Sequence, residues 1–379
     1  MSLHRWLKSS ALIPVTVVLW LAQVCLAQDA SGSQSWTASS QQGDLGGNVN
    51  PTRTSETHTE SNGRIVDKTS VETLGPDGRY VPYSETEKES VRVNDTTVRN
   101  IERTFARGPN GERTLIQERQ EESRSLPGGE QKVVRTTSSP DVNGALQVVR
   151  RELEDTKQPS PGVRETHTTV LAPDVNGGLT PAVQIEQRET KTSDGTIEFK
   201  KSTLLSDGTG RWQLSEVRES TTKQESDRVR SKDERVLRPN SNGSLAIVER
   251  TVSKQTEAGS GERHDTSDTY STNVPGQAGD DHLQLVQRES TVRRTTATGA
   301  QSTTRQVQQP SPGNPSDGLH LTTETIDIVR PGSGGNTDQT RTILTTDSNG
   351  QLGEVWIDTG KTGNPSAIQV DTRTSAKPK

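Results

Sequence analysis

From residue 61 onward, short apolar runs alternate with longer stretches rich in Thr, Arg and Glu, and Gly or Pro interrupts the chain about every 15 residues. Leu146, Val148 and Val149 lead into Arg151-Glu152, and Leu245, Ile247 and Val248 into Glu249-Arg250. Trp212 and Leu214 precede Arg218-Glu219, Leu283, Leu285 and Val286 precede Arg288-Glu289, and Leu352, Val355 and Ile357 continue the pattern. Alternate residues of a strand share a face, so apolar residues two and four places past the turn, such as Leu146 and Val148, lie together on one side. Thr and Val favour pleated backbone, while the frequent Gly and Pro work against helix. No amphipathic helical period is present.

The runs are placed by a repeat. Gly78, Gly111, Gly144, Gly177, Gly210 and Gly243 are separated by 33 residues each, and looser copies follow at Asp281, Asp317 and Gly350. Most sit in turn-like strings such as Pro140-Asp141-Val142-Asn143-Gly144 and Pro173-Asp174-Val175-Asn176-Gly177. Asn-Gly and Asp-Gly supply the left-handed backbone of tight hairpin turns. About halfway between anchors come second turns, at Gly128-Gly129, Pro161-Gly162, Asp194-Gly195 and Gly335-Asn336. One repeat is therefore turn, strand, turn, strand. The expectation is an all-β protein: an antiparallel meander of about nine 33-residue, two-strand repeats. Its eighteen to twenty strands would each be about 10 residues and about 33 Å long. They would form an extended or curled single sheet with the Leu and Val rows facing inward. The apolar lipid-facing row and aromatic girdles of a transmembrane barrel are missing, and a 33-residue unit does not supply a four-stranded propeller blade.

Composition adds an address. Arg5 and Lys8 precede an apolar run through Leu21, and Cys25-Leu26-Ala27 fits a cleavage site before Gln28, so residues 1–27 read as a signal peptide. Residues 28–60, rich in Ser, Gln, Gly and Asn, and 361–379 are expected to be disordered, leaving 61–360 as the repeat region. Cleavage would remove Cys25, the one Cys, and leave 43 basic against 50 acidic residues. Such a chain has no disulfide framework, thiol nucleophile or Cys-ligated metal, and no membrane span once the leader is gone. Its mildly acidic balance does not suit nucleic acid. An apolar content of 26% argues against a thick-cored enzyme with a dry cleft. In a repeat sheet each unit needs few apolar residues, because its neighbours complete the contacts.

The Asp-x-Asn-Gly-x-Leu signature, followed by Val and an Arg-Glu pair, resembles repeats of secreted bacterial proteins of acidobacterial type, over roughly residues 61–360. The resemblance implies export and a β-repeat, and brings no activity with it. A more distant likeness is to the YD repeats of Rhs-type proteins, which build β-sheet shells around a cargo. The Tyr-Asp pair of that family is missing here, so the shell function does not carry over.

Candidate chemistry is sparse. Asp141, Asn143, Asp174 and Asn176 resemble the start of a calcium loop, but Ala145-Leu146 and Gly178-Leu179 follow where further oxygen ligands belong. The competing role is capping of the turn by Asp. His58, His167, His264, His282 and His320 lack metal-ligand spacing, and no Gly-x-Ser-x-Gly elbow occurs. No metal, cofactor or catalytic residue is assigned, and the chain reads as a non-enzyme. Asn94-Asp95-Thr96 and Asn242-Gly243-Ser244 match the glycosylation triplet. The positive feature is the arginine near the end of each run. Arg151, Arg188, Arg218, Arg250 and Arg288, two strands apart and so about 9.5 Å from one another, would form a charged stripe. Such a stripe is either a solvated face of cross-strand salt bridges or a periodic surface for an envelope polysaccharide or another surface protein. The expected role is structural or adhesive, at the cell envelope, in the periplasm or outside the cell.

Overall fold

The computed structural model describes residues 33–43, 49–61, 63–75, 77–108, 111–259, 261–273, 282–311, 314–331, 337–346, 351–362 and 369–370. The first strands are β1 (Ser33–Gly43), β2 (Val49–Ser61), β3 (Arg64–Leu74), β4 (Tyr80–Asn94), β5 (Thr97–Arg107), β6 (Arg113–Ser125) and β7 (Gln131–Pro140). There follow β8 (Leu146–Ser160), β9 (Val163–Pro173), β10 (Leu179–Lys191), β11 (Ile197–Ser206), β12 (Trp212–Ser226), β13 (Val229–Pro239) and β14 (Leu245–Glu257). The last are β15 (Arg263–Ser271), β16 (Gln284–Thr295), β17 (Gln301–Ser311), β18 (Asn314–Pro331), β19 (Thr337–Thr346), β20 (Leu352–Thr362) and the short β21 (Gln369–Val370). Every strand pairs antiparallel with its neighbours in sequence, so the fold is an all-β meander in one open sheet. Among the described residues no helix is long and apolar enough to cross a membrane.

The anchor turns explain the hairpins. In the turn before β8 the Gly144 N–H donates to the Asp141 carbonyl (3.0 Å) and the Asp141 N–H to the Ala145 carbonyl (2.8 Å). Gly144 sits at φ 80, and Gly78, Gly111, Gly177, Gly210 and Gly243 are likewise left-handed. This is a type I turn closed by a left-handed glycine, a connection that suits hairpin strands. The Asp141 carboxylate caps it, with Oδ1 accepting the N–H groups of Asn143 (2.8 Å) and Ala145 (2.9 Å). Gly350 and the leader 1–27 lie outside the described residues.

Strict alternation, the basis of the sequence reading, breaks at the same place in every repeat, with further shifts beside a few of the turns. The ladders skip Tyr83, Ile116, Val149, Ala182, Ser215, Val248, Val286, Thr322 and Val355. Each is five residues beyond its anchor, the loosely spaced Asp281 and Asp317 included. The cause is parity. The period of 33 is odd, and side chains alternate with period two, so an uninterrupted meander would turn equivalent residues of successive repeats to opposite faces. One bulged residue per repeat restores the match and adds local twist. The first face thus carries Leu146 and Val148 before the bulge, and Arg151 and Leu153 after it.

The register also steps. One continuous row runs Lys157, Glu165, Arg188, Lys200, Glu219, Arg235, Arg250, Tyr270 across β8 to β15. Arg250 lies seven residues past its anchor, Glu219 nine and Arg188 eleven, a step of two residues per hairpin. Two strand spacings against two residue rises tilt the strands about 35° from the repeat direction.

Packing is thin. Among the described residues the buried apolar ones are Phe105, Val133, Val170, Val217 and Val236. The Leu rows expected to face inward remain half exposed, with Leu146 at 44% and Leu245 at 43%, because no second layer covers them. A second difference lies at the N-terminal side. Residues 28–60 were expected to be disordered; within them β1 and β2 extend the sheet, with β2 paired to β3 from Thr52↔Thr73 to Ser61↔Arg64. At the other end β20 runs to Thr362, into the segment read as tail. Polar alternation such as Thr54-Ser55-Glu56-Thr57 suffices where backbone pairing, not burial, holds the strand.

Candidate functional site

The side chains with chemistry stand on the two faces of the sheet, and opposed residues share a face. On the first face, Lys68, Glu87, Arg103 and Glu118 make one row across β3 to β6. Lys68 Nζ lies 3.0 Å from Glu87 Oε1, and Arg103 Nε donates to Glu118 Oε2 at 2.7 Å. Arg113 reaches Glu85 and Glu87 at 2.8 Å each and lies 3.4 Å above the Phe105 ring, while Arg107 also binds Glu85. Burial acts against the Glu87 charge, but Lys68 and Arg113 outweigh it and hold the carboxyl below its ordinary range.

The second face repeats this logic. Asn100, Glu121, Arg135 and Glu152 form a row across β5 to β8. Arg135 donates to Glu121 (2.6 Å) and to the diagonal Glu154 (2.8 Å). Burial disfavours the Arg135 cation, yet the bonds to Glu154 and Glu121 more than offset it and raise its pKa. Glu121 is lowered for the reciprocal reason, Arg135 and Asn100 prevailing over burial.

The five arginines named from the sequence do not form a single stripe. Arg151, Arg188, Arg250 and Arg288 lie on the first face, and Arg218 on the second, because it stands eight residues past its anchor, not seven or eleven. Arg250 shares the row of Arg188. Arg288 pairs with Asp268, two residues along β15 from that row's Tyr270, and Arg151 pairs with Leu171, six residues along β9 from that row's Glu165. The two-residue step also lengthens the spacing between equivalent side chains, from the expected 9.5 Å to about 12 Å.

Four of the five are engaged. Arg250 donates to Asp233 at 2.8 Å and Arg288 to Asp268 at 2.7 Å; Arg218 donates to Glu216 at 2.7 Å, and Arg188 stands 3.5 Å from Glu165. These hydrogen bonds raise the pKa of Arg218, Arg250 and Arg288 and lower those of Glu216 and Asp233. Arg151 differs: its Nε is buried and has no hydrogen-bond partner.

The remaining candidates have structural partners. Asp174 Oδ1 accepts the N–H groups of Asn176 (2.8 Å) and Gly178 (2.9 Å), the same capping as at Asp141, so these oxygens serve the turn. His58 Nδ1 lies 2.6 Å from Asp67, His264 Nε2 2.5 Å from Glu262, and His167 bonds Thr169 at 3.3 Å. Among the described residues no three His, Cys, Asp or Glu side chains gather where a metal ion could be held. The hollow over β12 to β16 is open and is lined by polar residues, among them Thr222, Arg230, Lys232, Ser253, Asp265 and Glu289. What the sequence reading missed was the second face, with Glu121, Arg135 and Glu154. Its signal was present in Glu118-Arg119-Gln120-Glu121 and Arg150-Arg151-Glu152, where charges at adjacent positions must divide between two faces. No protein-family model matches the chain, and no curated protein matches it.

Proposed function

We propose that this is a non-catalytic exported repeat protein with a structural or adhesive role at the cell envelope or outside the cell. The observation that supports the reading is the pairing of charges on both faces of a one-layer sheet. Most arginines that could greet a ligand are spent on carboxylates, Arg188, Arg250 and Arg288 on those of the adjacent strand and Arg218 on Glu216 of its own, so repeats are stitched to their neighbours. Such construction suits a body that must persist in water and span distance more than one that must enclose a substrate. Export is the link to test. In cells of the native host expressing the full chain, fractionation followed by intact-mass measurement should find a product lacking residues 1–27 in the envelope or medium. Retention of the unprocessed chain in the cytoplasm would overturn the reading.

A further inference from the structure

We propose that in solution the sheet closes on itself, with β1 pairing along β20 to give a hydrated cylinder. Two observations carry this, and neither depends on the proposed role. The first is register. A step of two residues per hairpin, always in the same sense from β8 to β15, recurs at β3 to β6, where Arg103 pairs with Glu118, seven past its anchor, and with Glu87, nine past. Strands tilted about 35° in this way fall at the edge of the 35–45° range of closed barrels. The second is proximity. Twenty strands laid flat would separate the edges by about 90 Å, yet Cα atoms of β1 come within 8 Å of β20 and β21.

The two edges have backbone left to pair. Among the described residues β1 is bonded to β2 alone, and β20 meets β21 only at Gly360 and Lys361, so no ladder is recorded along the rest of its outer edge. Unpaired edges are sites of aggregation, and closure removes both at once. A cylinder of twenty strands at this tilt has a backbone diameter of about 37 Å. Threonines, arginines and carboxylates populate either face, so the lumen would be filled with water whichever face turns inward.

The test is a distance. In the full chain with Cys25→Ser, the variant Ser39→Cys/Thr359→Cys carries spin labels on β1 and β20, diluted into unlabelled protein. Closure predicts an intramolecular separation below about 30 Å. A separation beyond about 60 Å, or a short one that vanishes on dilution and so arises between molecules, would overturn it. Hydrogen exchange on the unmodified chain gives a second, label-free reading. If β1 is paired on both sides, all its amides should exchange more than about 100-fold slower than open chain. Exchange of every second β1 amide at the open-chain rate would sink the proposal.

Discussion

At Gly144, Asp141 and Asn143 three residue types divide the work of one turn. The glycine adopts φ 80 without a Cβ penalty, and Asp141 ties down two N–H groups that the hairpin leaves over. Gly144→Ala has open space around its Cβ, so any loss comes from backbone strain alone. It should cost about 1 kcal/mol, and Asp141→Ala a similar amount, both read as a lower denaturation midpoint with an unchanged slope. Acid should act at the same scale. Asp233 and Glu216 are held low by Arg250 and Arg218, so their folded pKa values lie below the unfolded ones. Their contribution is therefore complete above the unfolded carboxylate range and fades as pH drops through the lower folded values. Each pair is partly exposed and adds about 0.5 kcal/mol. Arg250→Ala should flatten the acid limb of a stability–pH curve measured in urea, and an unchanged limb would remove the pair from the account.

An element here is a strand with one surplus residue, and its legibility in the sequence was uneven. The left-handed glycines, the hairpin turns and the pairing of neighbours followed from Asn-Gly chemistry and the period. The sharing of a face by Leu146 and Val148 followed from alternation. The bulge at Val149 did not, because nothing about valine marks a skipped position; only the odd period of 33 hinted at it. The arginine stripe failed for another reason: Arg218 stands eight residues past its anchor where the others stand seven or eleven, and the register step spread Arg151 and Arg188 along the strands. β1 and β2 escaped notice for a different reason: composition measures burial, and an outer strand of this sheet needs little. The bulge itself makes a prediction. Deleting Val149 should turn Arg151 and Leu153 to the second face and Glu152 and Glu154 to the first, stranding Arg135 without its Glu154 partner. A loss above about 2 kcal/mol is expected, from the half-buried charge left with Glu121 alone and from the broken register. Deleting Val142, fully exposed at the turn tip, alters the turn but leaves both ladders in phase and should cost less.

For the whole molecule the unit of design is therefore 33 residues and one bulge, and stability should accumulate by repeat and by interface, as in other repeat proteins. Removing residues 145–177 joins Gly144 to Gly178, rebuilds the anchor turn and brings the Leu179 run into the place of the Leu146 run. Faces and step are then kept across the new junction, although Ile185 and Gln187 take the places of Glu152 and Glu154 beside Arg135, so this side of that ion pairing is lost. The shortened chain should give the same strand-rich circular dichroism per residue. Its unfolding transition should be cooperative, with a denaturant slope reduced by roughly one ninth, as the exposed area shrinks by one repeat. A deletion of 32, removing residues 145–176, retains nearly identical composition but leaves an extra glycine in the turn and shifts the junction by one residue. There the Leu179 row must either slip to the wrong face or force a second bulge, and the protein should melt at lower denaturant or aggregate through the mismatched edges. Equal behaviour of the two deletions would mean that the repeat is tolerant of phase, and that the bulges set twist without setting which side chains meet.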